Sequence, residues 1–440
     1  MTHQEQPSVA LHTFGCRLNQ YETEAIRARF LARGFREVAF EDQATVYVVN
    51  TCTVTAQADY QARQALRRAI RRAPDALIVA TGCYAQTDAN ALLEIEGVDL
   101  VLGNKEKSGI VDFVLEAQRL GTPTAHVTRR SALSEFDDTL DVEGFDTHTR
   151  ALLKIQDGCD QFCSFCIIPW ARGRHRSRPV TSILKEINRF IASGYQEVVL
   201  TGVHLGEFGT DLNPQTSLTS VVEQIFHQGA PPRLRLSSLW PTAVTNGLVD
   251  LMAQASPPFC RYLHLAIQHG ENTVLSAMRR TYTVEQTTAV IDRVVDNIPD
   301  ICVGADIMTG FPGESDAHFD QMYRWLADQP LAYFHVFPFS RRKHTSASSL
   351  PDQVPPSITQ DRSKRLRELS AAKSAAFHAR FVQKTVTVLV ESHDDNGRVS
   401  GLTDTYIKVN FPGTPALVNR IIPVTILETD AGGAIGEQSG

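Results

Sequence analysis

In the N-terminal quarter of the chain, short apolar runs alternate with amphipathic stretches. Leu11–Gly15, Val46–Thr51, Leu77–Gly82 and Val98–Gly103 are apolar runs of strand length. Between them, about Tyr21–Arg33, Ala56–Ala73 and Asp88–Glu94, apolar residues recur at helical spacing. Strand–helix alternation of this kind predicts a parallel α/β sheet. The strand ends share a feature. The first three runs lead into Cys16, Cys52 and Cys83, and the fourth into Asn104. In such sheets ligands bind at the carboxyl ends of the strands, so the fold would bring three distant cysteines together there.

The pattern weakens over residues 126–149, a polar and acidic linker, and then resumes. Leu152–Gln156, Glu197–Thr201, Arg233–Ser237, Tyr262–Ile267, Cys302–Met308 and Tyr333–Phe337 read as strands, with helical patterns such as Ser182–Ala192 and Val284–Val295 between them. Six β/α units predict a partial (β/α)6 barrel, too few to close an eight-stranded one. After a charged helical stretch at Thr359–Arg380 come four short strand patterns, Thr385–Val390, Arg398–Leu402, Tyr406–Phe411 and Ile421–Leu427. Turns fall at Asn396-Gly397 and Pro412-Gly413. They predict a small antiparallel β-barrel of a type that holds RNA. Ala431–Gly440 is expected to lack regular structure. The expected domains are therefore residues 8–125, the linker 126–149, residues 150–375 and residues 376–436.

Composition narrows the chemistry. Of 440 residues 42% are hydrophobic, enough for several cores. No apolar stretch is long enough to span a bilayer. Met1–Ala10 is polar and lacks the order of a signal peptide, which places the chain in the cytoplasm. There, the eight cysteines point to metal binding or catalysis rather than to disulfides. A net charge of −6 argues against indiscriminate nucleic-acid binding, so an RNA partner requires local basic surfaces.

Cys159, Cys163 and Cys166 carry the strongest chemical signal. Three thiolates within eight residues, just after a strand, can hold one corner of a [4Fe–4S] cluster, which usually takes four cysteines. The iron left open can chelate the amino and carboxylate groups of a methionine moiety and pass an electron to its sulfonium. Phe165, just before the last cysteine, is placed to flank an adenine ring. A zinc knuckle is the plainer alternative, but it needs a fourth ligand nearby and usually a C-x₂-C pair. Cys16, Cys52 and Cys83 form a second set, able to leave an iron open for a sulfur atom; a thiol at one strand end, taken alone, is more often simply buried. Cys260 and Cys302 read as packing residues.

Basic residues cluster twice. Arg63, Arg67 and Arg71 recur along one helix, a pattern that more often marks a solvated face. Arg172, Arg174, Arg176 and Arg178 follow the cysteine motif directly and are candidates for RNA phosphate contact. In the last module Tyr406 is a candidate for base stacking and Lys408 for phosphate, although strand aromatics also build small cores.

Residues 152–179 (LLKIQDGCDQFCSFCIIPWARGRHRSRP) resemble the cluster motif of the radical S-adenosylmethionine methylthiotransferase family. The segments TFGCRLNQYETEA, VVNTCTVTAQAD and ATGCYAQ are similar to that family's three N-terminal cysteine segments, and the C-terminal module resembles a TRAM domain. The resemblance implies two [4Fe–4S] clusters, S-adenosylmethionine, a tRNA substrate, an external electron donor and a sulfur source. It also implies a cofactor pocket involving Gly202, Val203, Gln268 and Asp306. NQYETEA, TCTVT and KIQDGC resemble the branch that inserts a methylthio group at C2 of N6-threonylcarbamoyladenosine at position 37 of tRNA. The same chemistry on isopentenyladenosine or on a ribosomal-protein aspartate remains an alternative, as does a non-enzymatic RNA-binding protein with structural metal.

Overall fold

A computed structural model describes residues 6–142 and 149–439. Residues 1–5 of the polar N-terminus and 143–148 of the expected linker lie outside the described residues. The chain divides into two units. One holds the N-terminal part together with residues 156–178 and 340–348; the other holds the rest.

The first unit is built on a six-stranded parallel sheet. Its order is Arg36–Val38, Ser8–Thr13, Val46–Thr51, Leu77–Gly82, Leu100–Leu102, Thr124–His126. Side chains alternate between its two faces. Val46 and Val48 pack with Ile26, Phe30 and Val114 of two helices, Arg17–Ala32 and Ile110–Leu120. Tyr47 and Val49 face Ala62, Leu66 and Ala69 of the helix Ala56–Arg72. Burying one such aliphatic side chain contributes about 1.5–3 kcal/mol, so both faces are firmly specified. The chain reverses direction across the sheet between Ser8–Thr13 and Val46–Thr51. That is the topological switch point, where open α/β sheets leave a crevice beyond the strand ends. The two outer strands, three residues each, were not marked by the sequence pattern.

The second unit contains all six expected barrel strands. Arg150–Lys154, Glu197–Thr201 and Arg233–Leu236 form one parallel set; Tyr262–Gln268, Cys302–Thr309 and Tyr333–Pro338 form another. Parallel bridges Leu234–Phe259 and Leu239–Leu265 join the two sets in sequence order, giving a six-stranded partial barrel. The helix Pro356–Ala379 leads to a closed five-stranded barrel. Four of its pairings are antiparallel. The fifth strand, Gly433–Gln438, lies in the stretch expected to lack structure. It closes the barrel by pairing in parallel with Lys408–Pro412.

Within this unit the small barrel docks below the partial one, at the amino ends of its strands. Arg233 donates to the carbonyls of Leu402 (2.8 Å) and Thr387 (2.6 Å). Arg235 donates to those of Thr403 (3.0 Å) and Asp404 (3.1 Å). The Arg235 guanidinium is also paired with Glu197 at 2.7 Å. The opposite, carboxyl ends of the strands are the ends where α/β barrels place their active sites.

Candidate metal and cofactor site

Three strand ends deliver Cys16, Cys52 and Cys83 to one crevice of the first unit. Gly15 and Gly82 precede two of them, both with φ of +97°. A Cβ on Gly82 would lie 2.5 Å from the Asn50 Oδ1 and the Thr51 carbonyl. A Cβ on Gly15 would lie 2.8 Å from the Cys52 Sγ, so the first turn closes directly over the second cysteine. Only glycine fits such positions without strain. The Thr51 hydroxyl donates to the Thr81 carbonyl at 2.6 Å and accepts from the amides of Tyr84 and Ala85, tying neighbouring strand ends together. Cys16 caps the helix Arg17–Ala32, whose free amide groups favour negative charge.

Cys52 and Cys83 are shifted by burial and by the neighbouring thiols. Burial pushes the Cys52 thiol up to about 12, and the nearby Cys83 adds to the shift. Burial also raises Cys83, while the cations Arg172 and Lys107 pull it the other way. This donor set fits a cluster: three thiols gathered at the strand ends, with the buried cations Arg172 and Lys107 acting on Cys83. Metal binding displaces thiol protons that burial otherwise retains.

The second triad lies in the same unit. Its loop is held by the Cys166 amide donating to the Cys163 carbonyl (3.0 Å) and the Cys159 amide donating to the Gly173 carbonyl (3.1 Å). Gly158, at φ +68°, has the Arg174 carbonyl where a Cβ would stand, so the loop can enter only through glycine. Cys163 is buried and Cys159 and Cys166 are half-buried, as is Phe165.

Arg172 anchors this loop to the helix Arg17–Ala32. Its guanidinium, 1% exposed, meets both oxygens of Glu22 (2.9 and 3.1 Å), Asp157 (3.1 Å) and the Asn19 Oδ1 (2.6 Å). Lys107 binds the same Glu22 carboxylate. Burial opposes charge on Arg172, but Cys83, Glu22 and Asp157 outweigh it and hold the guanidinium firmly protonated. Arg176 is buried against Asp157 (2.9 Å) and Arg178 against Asp138 (2.7 Å). The expectation that all four arginines meet phosphate therefore gives way. Arg172, Arg176 and Arg178 are held by carboxylates, and only Arg174 is exposed. Tyr406 is likewise engaged, stacked on Tyr262 at 4.2 Å between centroids and beside Arg235. Lys408 is exposed.

In the second unit Gly202 and Val203 follow the strand Glu197–Thr201 and are half-buried. Gln268 ends its strand at φ +75°, and its buried Oε1 has no hydrogen-bond partner. A strained backbone holding an unsatisfied acceptor marks a site awaiting a donor. This fits a ligand with an amino group. His269 is fully buried beside Glu314. Asp306 lies between His264 (3.0 Å) and His335 (3.5 Å), and the other ring nitrogen of His264 meets Tyr333 at 3.2 Å. Burial pushes the Asp306 carboxyl up, but the two histidines outweigh it and hold it well below the usual range. Nothing in the sequence pattern joined these three residues, which come from three different strands.

Comparisons with known proteins follow the same layout. Residues 8–103 match the uncharacterized protein family UPF0004, residues 153–326 the radical SAM superfamily and residues 379–437 the TRAM domain. The chain is 36% identical to a threonylcarbamoyladenosine tRNA methylthiotransferase of Bacillus subtilis, over 96% of this chain and 94% of that protein. It is 31% identical to a tRNA-2-methylthio-N(6)-dimethylallyladenosine synthase of Syntrophotalea carbinolica, over 98% and 99%. Its fold is similar to that of the radical S-adenosylmethionine methyltransferase TsrM from Kitasatospora setae, at TM-score 0.57 and 17% identity, covering 82% of this chain and 85% of that one.

Proposed function

The chain belongs to the radical S-adenosylmethionine tRNA methylthiotransferase family, and from that premise we propose that it inserts a methylthio group at C2 of N6-threonylcarbamoyladenosine at position 37 of tRNA. The observation that carries the methylthiolation is the meeting of Cys16, Cys52 and Cys83 at one crevice, in the unit that also holds Cys159, Cys163 and Cys166, and the similarity to the Bacillus subtilis protein supports the choice of nucleoside. Replacing hydrogen by sulfur on an unactivated aromatic carbon has no easy polar route, and the cofactor carries that difficulty. Cys159, Cys163 and Cys166 would hold a [4Fe–4S] cluster, which when bound would supply the electron for reductive cleavage of S-adenosylmethionine. We assign a second cluster, with its sulfur, to Cys16, Cys52 and Cys83.

The remaining work falls to the chain itself. Gln268 offers its free oxygen to an amino donor of the cofactor, and the turn at Gly202 and Val203 ends another strand of the same barrel. Asp306 and its two histidines shape the barrel lumen and fix the local charge. Phe165 flanks the loop where adenine would lie. Lys408 and Arg174 keep exposed cations for RNA. The electron donor and sulfur source are external, and a tRNA substrate fits a cytoplasmic location.

The dimethylallyladenosine reading stands second, because a relative of that name aligns over nearly the whole chain. Mass analysis of tRNA nucleosides from cells with and without the gene separates the two. Loss of 2-methylthio-N6-threonylcarbamoyladenosine alone supports the first reading. Loss of only the dimethylallyl derivative overturns it.

A further inference from the structure

A cavity of about 320 Å³ opens beside the cysteines of the first unit. Three of its lining residues, Thr53, Tyr84 and Ile167, each follow a cysteine directly: Cys52, Cys83 and Cys166. Apart from Thr87, the rest of its lining is charged. Arg63, Arg341, Arg342 and Lys343 face only two acids, Asp59 and Asp88. Asp59 is bound by Arg342, which also donates to the Thr53 hydroxyl, and Asp88 is bound by Lys343. Arg63 is differently placed. It donates to the Tyr84 hydroxyl at 2.9 Å and lies over the same ring. A guanidinium has five donors, and this bond uses one of them. The two lining acids are thus engaged by Arg342 and Lys343, and Arg63 adds positive charge at a spot lined by residues that follow both cysteine sets.

We propose that this cavity is the specificity pocket for the substrate's side group, with Arg63 and its cationic neighbours receiving the threonyl carboxylate. The proposal rests on the threonylcarbamoyladenosine reading above and adds the residues that select it. The chemistry of the nucleoside sets the location. The N6 substituent lies on the same edge of the purine as C2, and C6, which carries it, is separated from C2 only by N1. When C2 approaches the cysteines, the substituent must lie beside them. A threonylcarbamoyl group ends in a carboxylate, which a guanidinium binds with paired, charge-assisted hydrogen bonds. A dimethylallyl group has no charge. Seated in this cavity it would desolvate cations without compensation, so the pocket also rejects the competing substrate.

The test uses the reconstituted chain and two anticodon stem-loop RNAs. One bears N6-threonylcarbamoyladenosine at position 37, and the other bears the same nucleoside as its carboxyl methyl ester. The unaltered chain is expected to show a KM about ten- to a hundredfold higher for the ester, the span of a lost charge-assisted bond. In Arg63→Gln that difference should shrink to within about threefold. Lys343→Gln serves as a second variant, because that side chain is 75% exposed and its loss leaves the fold intact. It should narrow the difference by a smaller factor. Full ester discrimination retained in both variants overturns the pocket. So does equal binding of the two RNAs by the unaltered chain, even if the variants bind both more weakly; that pattern would mean a backbone phosphate occupies the cavity. If the unaltered chain forms 5′-deoxyadenosine but no methylthio product on the threonylcarbamoyl RNA, the substrate reading itself fails and the pocket falls with it. The ester comparison alone removes only the pocket.

Discussion

The two cysteine triads reach similar chemistry by opposite routes. Cys159, Cys163 and Cys166 lie within one short loop, so local chain geometry places them. Cys16, Cys52 and Cys83 come from three strands and meet only after the parallel sheet has formed. The loop can be recognised from spacing alone. The dispersed set is defined by topology, since Cys16 and Cys52 flank the switch point where a parallel sheet leaves its crevice. Neither set is independent of the other. The loop belongs to the same unit as the sheet, and Arg172 ties it to Glu22 and Asn19 of the first helix.

The largest expected effect separates the two sets chemically. Cys163→Ala should abolish 5′-deoxyadenosine formation and all product. Replacing Cys16, Cys52 and Cys83 together should leave cleavage of S-adenosylmethionine measurable while methylthiolation of RNA stops. Iron analysis should fall from about eight to about four per chain in that triple variant. Methylthiolated product from it would end the distinction between the sets.

A smaller effect, on stability, probes the tie between them. Arg172→Met leaves the buried carboxylates of Glu22 and Asp157 partly uncompensated. Breaking one partner out of such a network costs about 3–5 kcal/mol. Arg174→Met, two residues along and exposed, should change stability by no more than about 0.5 kcal/mol. Denaturant unfolding of the metal-free chain measures both. Equal values for the two variants would mean that the loop stands without its anchor.

That contrast also shows where the sequence was legible. The six barrel strands were readable because each is a buried apolar run, and the cysteine sets because they end strands or share a loop. The arginines after the motif were read as a basic surface, since their partners are remote. Glu22 lies 150 positions from Arg172 in the chain, and no local pattern reports such a pair. The strands Arg36–Val38 and Thr124–His126 are too short to show a period. Gly433–Gln438 has two glycines and an exposed acid, a poor strand by propensity that barrel closure overrides. Tyr406 read as either a base-stacking residue or a strand aromatic of a small core, because its stacking partner, Tyr262, belongs to another domain in sequence.

A third test extends the comparison to the other unit, where Arg235 and Glu197 repeat the buried arginine–carboxylate pairing of Arg172 and Glu22 without any cysteine cluster at stake. Both side chains are fully buried, and Arg235 also holds two carbonyls of the C-terminal barrel. Burial pushes the Glu197 carboxyl up, but Arg235 and its neighbours Arg150 and Arg233 outweigh it and hold it below the ordinary value. A depressed folded-state pKa gives stability that is fully present above the unfolded value. That stability is lost as pH falls through the folded one. Unfolding measured from pH 7 downward should therefore show this contribution intact to about pH 5 and declining below it, by at most about 1.4 kcal/mol per pH unit for this one proton. Glu197→Gln should lower stability at pH 7 and flatten the acid slope. A slope unchanged by that substitution would locate the acid sensitivity elsewhere, the depressed carboxyl of Asp306 being a candidate.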